Sequence, residues 1–305
     1  MSGPHVQTAG RVVVGVDGSE ASTQAAVYGA GCAQRRGLGL LLVHVTPHGS
    51  GDDARPMAGR EVRERYGQSA ARLVQAAADH VREATGLSNV TASVVEDHPV
   101  DGLLALCDDA AVVVTGRRGT GGLPGLVLGS TAGALVQNAR CPVIALPDEG
   151  ETPDGEAGPV VVGIEGRPGD DAVLAFAVAE AAARGVGLTA VHAWRDLPVE
   201  SALGGFGPLV DWRDMDADEQ RLLDDALAAH RGGAHGVPVE GRVVRERPAA
   251  ALLHASAGAG LLVVGHRHRG RLARLGSTTH AVLHRAPCPT AVVPLREQPD
   301  GHAAS

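Results

Sequence analysis

Short apolar runs alternate with longer stretches of helical periodicity along most of the chain. In the first half the runs are Val12–Val16, Leu40–Val45, Val90–Val95, Ala111–Thr115 and Val143–Leu146. They are rich in valine and almost unbroken by polar residues, the pattern of strands covered on both faces. Between them lie the alanine-rich stretch Ser22–Gln34 and the segment Glu61–Ala84, where Val62, Tyr66, Leu73, Ala77 and Val81 recur at helical spacing. Strands alternating with helices predict right-handed βαβ crossovers and a parallel sheet. The expectation is a small doubly wound α/β domain of five strands and four helices. Ligands of such domains bind beyond the carboxyl ends of the strands, at a topological switch point.

The pattern then repeats. Gly10–Glu20 (GRVVVGVDGSE) returns as Gly158–Pro168 (GPVVVGIEGRP), and Gly37–Val45 returns as Gly185–Ala193. Ala111–Gly119 is answered by Leu261–Gly270, and Gly129–Pro147 by Gly276–Pro294. Repetition at this period is a duplicated domain, not a solenoid. The boundaries read as a first domain over 1–147, a linker over 148–158, a second domain over 159–295 and a disordered tail over 296–305. The linker and tail are polar, rich in Gly and Pro, and without apolar periodicity.

Composition narrows the function classes. The 305 residues are 44% hydrophobic but only 2% aromatic, so the cores must be built from Val, Leu and Ala. All 27 basic residues are arginine. Without lysine there is no Walker P-loop and no Schiff-base chemistry. A formal net charge of −8 argues against duplex nucleic acid as a partner. No apolar run reaches the ~18 residues of a membrane span, and the N-terminus lacks a secretory pattern, so a cytoplasmic protein is expected. The four cysteines, Cys32, Cys107, Cys141 and Cys288, are scattered and read as buried thiols. His266 and His268 stand two apart with no carboxylate or cysteine close in sequence, so no metal site is expected there. His44 and His192 recur at matching strand ends, which points to packing or a backbone hydrogen bond.

The stretch GRRGTGGLPGLVLGST, Gly116–Thr131, carries the candidate chemistry. It follows the fourth strand and leads into a helix. Its glycines let backbone approach a ligand closely, and the first amides of the helix have no partner inside it. Ser130 and Thr131 add hydroxyls, and Arg117 and Arg118 add charge suited to phosphate. Asp17 ends the first strand. It either accepts from a ribose hydroxyl or caps the helix that follows.

These residues resemble a known family. Gly116, Gly119, Gly129 and Ser130 fit G-x2-G-x9-G-[ST], and VVVGVDGS, LLVHV and CPVIALP stand at the matching strands. The chain resembles two tandem domains of the nucleotide-binding type of universal stress protein. The resemblance implies a strand order of 3-2-1-4-5 and ATP, with or without Mg²⁺, bound at the first and fourth strands. Asp17 would then meet the ribose–adenine side, and Val45 would offer backbone to the adenine. Gly15 would leave room beside the first strand, and Gly116, Gly119, Gly129, Ser130 and Thr131 would surround the phosphates. A homodimer is also implied.

The second copy departs from this pattern. Its loop runs Gly265–Thr278, with His268 in place of the middle glycine and a spacer of seven residues instead of nine before Gly276. Glu165 replaces the aspartate and Arg167 the serine, while Gly163, Gly276, Ser277 and Thr278 persist. One nucleotide per chain, in the first domain, is expected. The loop Gly116–Thr131 contains no Asp, Glu or His, so rapid hydrolysis is not expected, and DGSEAS lacks the serine-glycine loop of adenine-nucleotide hydrolases. The leading reading is an ATP-dependent stress-response switch rather than an enzyme. The alternatives are an interaction module with empty sites, acting through dimerisation, and a slow ATPase.

Overall fold

The computed structural model describes residues 8–46, 60–119, 128–147, 158–167, 169–194, 212–231, 236–267 and 275–295. The chain forms two compact units, Met1–Glu151 and Thr152–Ser305. The first contains β1 (Val12–Gly15), α1 (Glu20–Arg36), β2 (Leu40–Thr46), α2 (Arg60–Thr85), β3 (Val90–Glu96), α3 (Pro99–Leu106), β4 (Val112–Gly116), α4 (Ser130–Asn138) and β5 (Val143–Leu146). The second contains β6 (Val160–Ile164), α5 (Asp170–Arg184), β7 (Leu188–Ala193), α6 (Trp212–Ala228), β8 (Val239–Val244), α7 (Pro248–Ala255), β9 (Leu261–Arg267), α8 (Ser277–Arg285) and β10 (Thr290–Leu295).

Within the first unit the strand order is β3-β2-β1-β4-β5, and within the second β8-β7-β6-β9-β10. Every pairing inside a unit is parallel. Each unit therefore has the order 3-2-1-4-5. The central strand β1 pairs with β2 on one side and β4 on the other, so the chain reverses direction across the sheet there. That is the switch point, and Gly15 and Gly116 leave the sheet beside it.

Valine dominates the central strands because they are covered on both faces. Val12–Val14, Leu40–Leu42 and Val112–Val114 are fully buried. The outer strand β8 differs: it reads VEGRVV, and its Glu240 and Arg242 pair with each other on the exposed face. Charge on an outer strand opposes further strand addition. The helices approach closely because their inner faces are small, as at Ala25, Ala26 and Ala30. α1 and α5 end alike, at Gly37 and Gly185, both left-handed with φ of 64° and 67°. A left-handed glycine there lets backbone amides close the last turn.

Gly158, expected in the linker, is packed in the second unit: a Cβ there would collide with the carbonyl of Gly258. The rest of the expected linker, the expected tail, the middle of the Gly116–Thr131 loop and His268 lie outside the described residues. No described helix is long and apolar enough to cross a membrane.

The closest helix–sheet approach gives a test of the packing. A Cβ on Gly29 of α1 would stand 2.6 Å from Val14 Cγ2. Gly29→Val should push α1 off the sheet and cost about 1–3 kcal/mol, the usual range for overpacking. Urea unfolding followed by far-UV circular dichroism should show this as an earlier transition. An unchanged midpoint would contradict the packing.

Candidate functional site

The turn after β1 is built from side-chain hydrogen bonds. The Ser19 amide and hydroxyl both donate to Asp17 Oδ1, at 3.0 and 2.6 Å. Ser19 Oγ in turn accepts from the Ser22 amide at 3.1 Å, so Ser19 is the N-cap of α1. Ser22 Oγ accepts from the Asp17 amide at 3.3 Å. Of the two readings of Asp17, helix capping thus belongs to Ser19, and Asp17 braces the cap from behind. Its other oxygen, Oδ2, faces Gly119, where an added Cβ would collide with it. Asp17 and Gly119 thus meet at the carboxyl ends of β1 and β4.

The loop glycines do different work. A Cβ on Gly116 would meet Ala21 Cβ at 3.0 Å and the carbonyls of Ala21 and Arg118 at 3.2 Å, so Gly116 serves the fit of α1 against β4. Gly119 faces Asp17. The Gly129 amide donates to the Arg117 carbonyl at 2.7 Å and so joins the two ends of the loop. Gly129 is also the N-cap of α4 and brings no side chain to that end. The first-turn amides of α4 therefore receive no side-chain cap from residue 129. Ser130 is exposed there and Thr131 half-buried. The two arginines separate: Arg117 is 2% exposed and sits in the interior, while Arg118 is on the surface. Gly15 and Val45 turn toward α3. A Cβ on Gly15 would meet Leu103 at 3.0 Å, and Val45 packs against Gly102.

The second unit fills the matching turn differently. Asp170, which stands where the first copy has Ser22, turns one oxygen onto three amides. Oδ2 accepts from Glu165, Gly166 and Arg167 at 3.1, 2.7 and 3.0 Å. Burial pushes its carboxyl up from the ordinary aspartate value, against the amides, which pull it down. Glu165 Oε2 lies 3.5 Å from Arg267 on β9. An open cleft of about 630 Å³ adjoins this turn; Asp170, Asp171, Asp218 and Asp225 outnumber Arg167 and Arg221 in its lining, and this net acidic charge suits phosphate poorly. Gly163 packs on Leu252, and Gly265 lies between Leu295 and Val173. Gly276 caps α8 without a side chain, like Gly129, and Ser277 and Thr278 open that helix.

The paired histidines hold carbonyls. His44 Nδ1 lies 2.7 Å from the Val16 carbonyl, and His192 Nδ1 lies 2.9 Å from that of Ile164. His192 Nε2 also meets Glu219 Oε2 at 2.8 Å. All four cysteines are buried, and none forms a disulfide. Cys107 and Cys141, distant in sequence, come together: a hydrogen bond with Cys141 and burial push the Cys107 thiol strongly upward.

The profile of the Universal stress protein family matches residues 8–147 and again 157–294. The chain belongs to the universal stress protein family. It carries two of the family's domains in tandem. Universal stress protein Rv2005c of Mycobacterium tuberculosis is 38% identical over 290 residues, covering 92% of this chain and 96% of that protein. Universal stress protein Rv2623 of the same species is 32% identical over 290 residues, covering 92% and 95%. A universal stress protein structure from Archaeoglobus fulgidus shares the fold, with a TM-score of 0.68 at 18% identity over 93% of this chain and 98% of that one.

Within this tandem universal stress protein, sequence reasoning missed Asp170. An acid in the first turn of a helix reads as ordinary favourable placement near the helix dipole. The signal lay in the repeat, where an aspartate replaces Ser22. Asp170→Ala would leave three amides without their acceptor and should cost about 1–3 kcal/mol. Asp170→Asn keeps an acceptor oxygen in place and should retain most of the stability. Thermal unfolding of the two variants checks this: equal melting temperatures for Ala and wild type would show that the carboxylate does not hold the turn.

Proposed function

We propose that the first unit binds ATP and the second does not, and that occupancy of the first switches the state of the protein in a stress response. The observation that carries this is the opposition of Asp17 Oδ2 and Gly119 beside the start of α4, whose N-cap Gly129 supplies no side chain. A nucleotide needs a hydrogen-bond acceptor for its ribose hydroxyls and donors for its phosphates. Asp17, held by Ser19, fits the first need. The α4 amides, the exposed Ser130 and the surface Arg118 fit the second. Gly119 lacks the side chain that would press on the carboxylate. The sequence match to the family's glycine pattern agrees with this placement. In the second unit the acidic cleft and the Glu165–Arg267 contact favour no such ligand.

Hydrolysis is at most slow on this reading. A hydrolase needs a group that orients water at the transferred phosphoryl. Asp17 is tied through Oδ1 to Ser19 and is taken up on this reading by the ribose, and the described ends of the loop carry no carboxylate or imidazole. The reading also takes the protein to be cytoplasmic and homodimeric; sedimentation velocity measures the oligomeric state directly.

Titration calorimetry of the full chain with ATP should count one site. Asp17→Ala should weaken binding by roughly 10–100-fold, the value of a hydrogen bond to a charged group. Gly119→Ala should abolish binding with little change in melting temperature, because the residue is exposed and, among the described residues, its new methyl meets Asp17 alone. Gly116 is a poorer choice, since any side chain there meets α1. Two equal sites per chain, or wild-type affinity in both variants, would overturn the assignment. Steady-state phosphate release at ordinary enzymatic rates would replace the switch with an ATPase.

A further inference from the structure

α8 carries a feature that the nucleotide reading leaves unused. His280 and His284 stand four residues apart, one helical turn, and so project from the same face. Their ring centroids are 4.1 Å apart with planes inclined by 30°. His280 is exposed and His284 half-buried. The fold does not require them. The first unit builds the same helix, α4, with Gly133 and Gln137 at the matching positions.

Two imidazoles one turn apart on a helix can chelate one ion once rotation about their side-chain bonds swings the contacting rings apart and turns a nitrogen of each toward it. The backbone that sets their spacing is already ordered, so a cation meeting the first ring finds the second at high effective concentration. Histidines at this spacing supply two zinc ligands in the helical motif of many metalloproteases. Imidazole nitrogen suits zinc, copper and nickel, while magnesium and calcium prefer oxygen. We propose that His280 and His284 together bind one divalent late first-row transition ion, Cu²⁺ most tightly and Ni²⁺ and Zn²⁺ less so. No group of three or more His, Cys, Asp or Glu that could hold a metal occurs among the described residues. Water therefore completes the coordination sphere. A site with two protein ligands is open and exchangeable, unlike the closed four-ligand sites that hold structural zinc. The order of affinities follows the general one for nitrogen and oxygen sites, with copper at its peak.

The chain has 14 histidines, so the test must assign the ligands as well as detect the ion. Tag-free full-length protein is titrated with CuCl₂, and the bound ion is read by electron paramagnetic resonance. One Cu²⁺ per chain with two equatorial nitrogens is expected. His280→Ala and His284→Gln should each reduce the affinity about 100-fold by removing the chelate, without altering the far-UV circular dichroism of the metal-free protein. The glutamine is the residue the first unit carries at 137, so the helix should tolerate it. A wild-type spectrum without a two-nitrogen species would overturn the proposal. So would copper uptake and nitrogen count unchanged in both variants.

Discussion

The pairing of β1 with two parallel neighbours sets the rest of each unit. In the first unit, Val12–Val14 sit between Leu40–Leu42 and Val112–Val114. The crossovers leave β1 and β4 in opposite directions along the sheet, so a gap opens between their carboxyl ends. Asp17 and Gly119 come face to face in that gap. The buried valines thus do more than fill the core. They fix the register in which a turn at residue 17 and a loop at residue 119 meet.

The two units show how much one backbone can change at its rim. Where the first has Ser22, sharing a cap with Ser19, the second has Asp170 gathering three amides. Where the first has Gly133 and Gln137, the second has two histidines with stacked rings. None of these changes reaches the strands, whose order is the same in both units. The side chains at strand ends and helix starts are the variable part. The sheet tolerates their variation because the strands bond to one another through backbone.

Much of the fold was legible because buried parallel strands leave a strong mark. Val143–Leu146 was read to the residue, and α1 and α2 to within about two residues at either end. The strand order needed the family resemblance, since periodicity does not say which strands are neighbours. That Asp17 and the end of β4 come near one another was legible, but what each residue touches was not. Sequence could not show that Gly116 faces Ala21 while Gly119 faces Asp17, because that depends on where each missing Cβ would point. Nor could it show that Arg117 turns inward and Arg118 outward. Asp17 and Ser19 both have the chemistry of an N-cap, and only the geometry of the turn divides the work between them.

The 2.7 Å bond from the Gly129 amide to the Arg117 carbonyl acts as a clasp at the neck of the loop. Whatever lies beyond the clasp can lengthen, shorten or change composition while strand and helix stay in place. Trimming a closed segment from nine residues to seven changes its closure free energy by only about 0.2 kcal/mol. The second copy carries such a trim, and α8 still opens with Gly276, Ser277 and Thr278. The length and composition of this loop can therefore drift by insertion and deletion at almost no thermodynamic penalty, which leaves it open to evolutionary experiment.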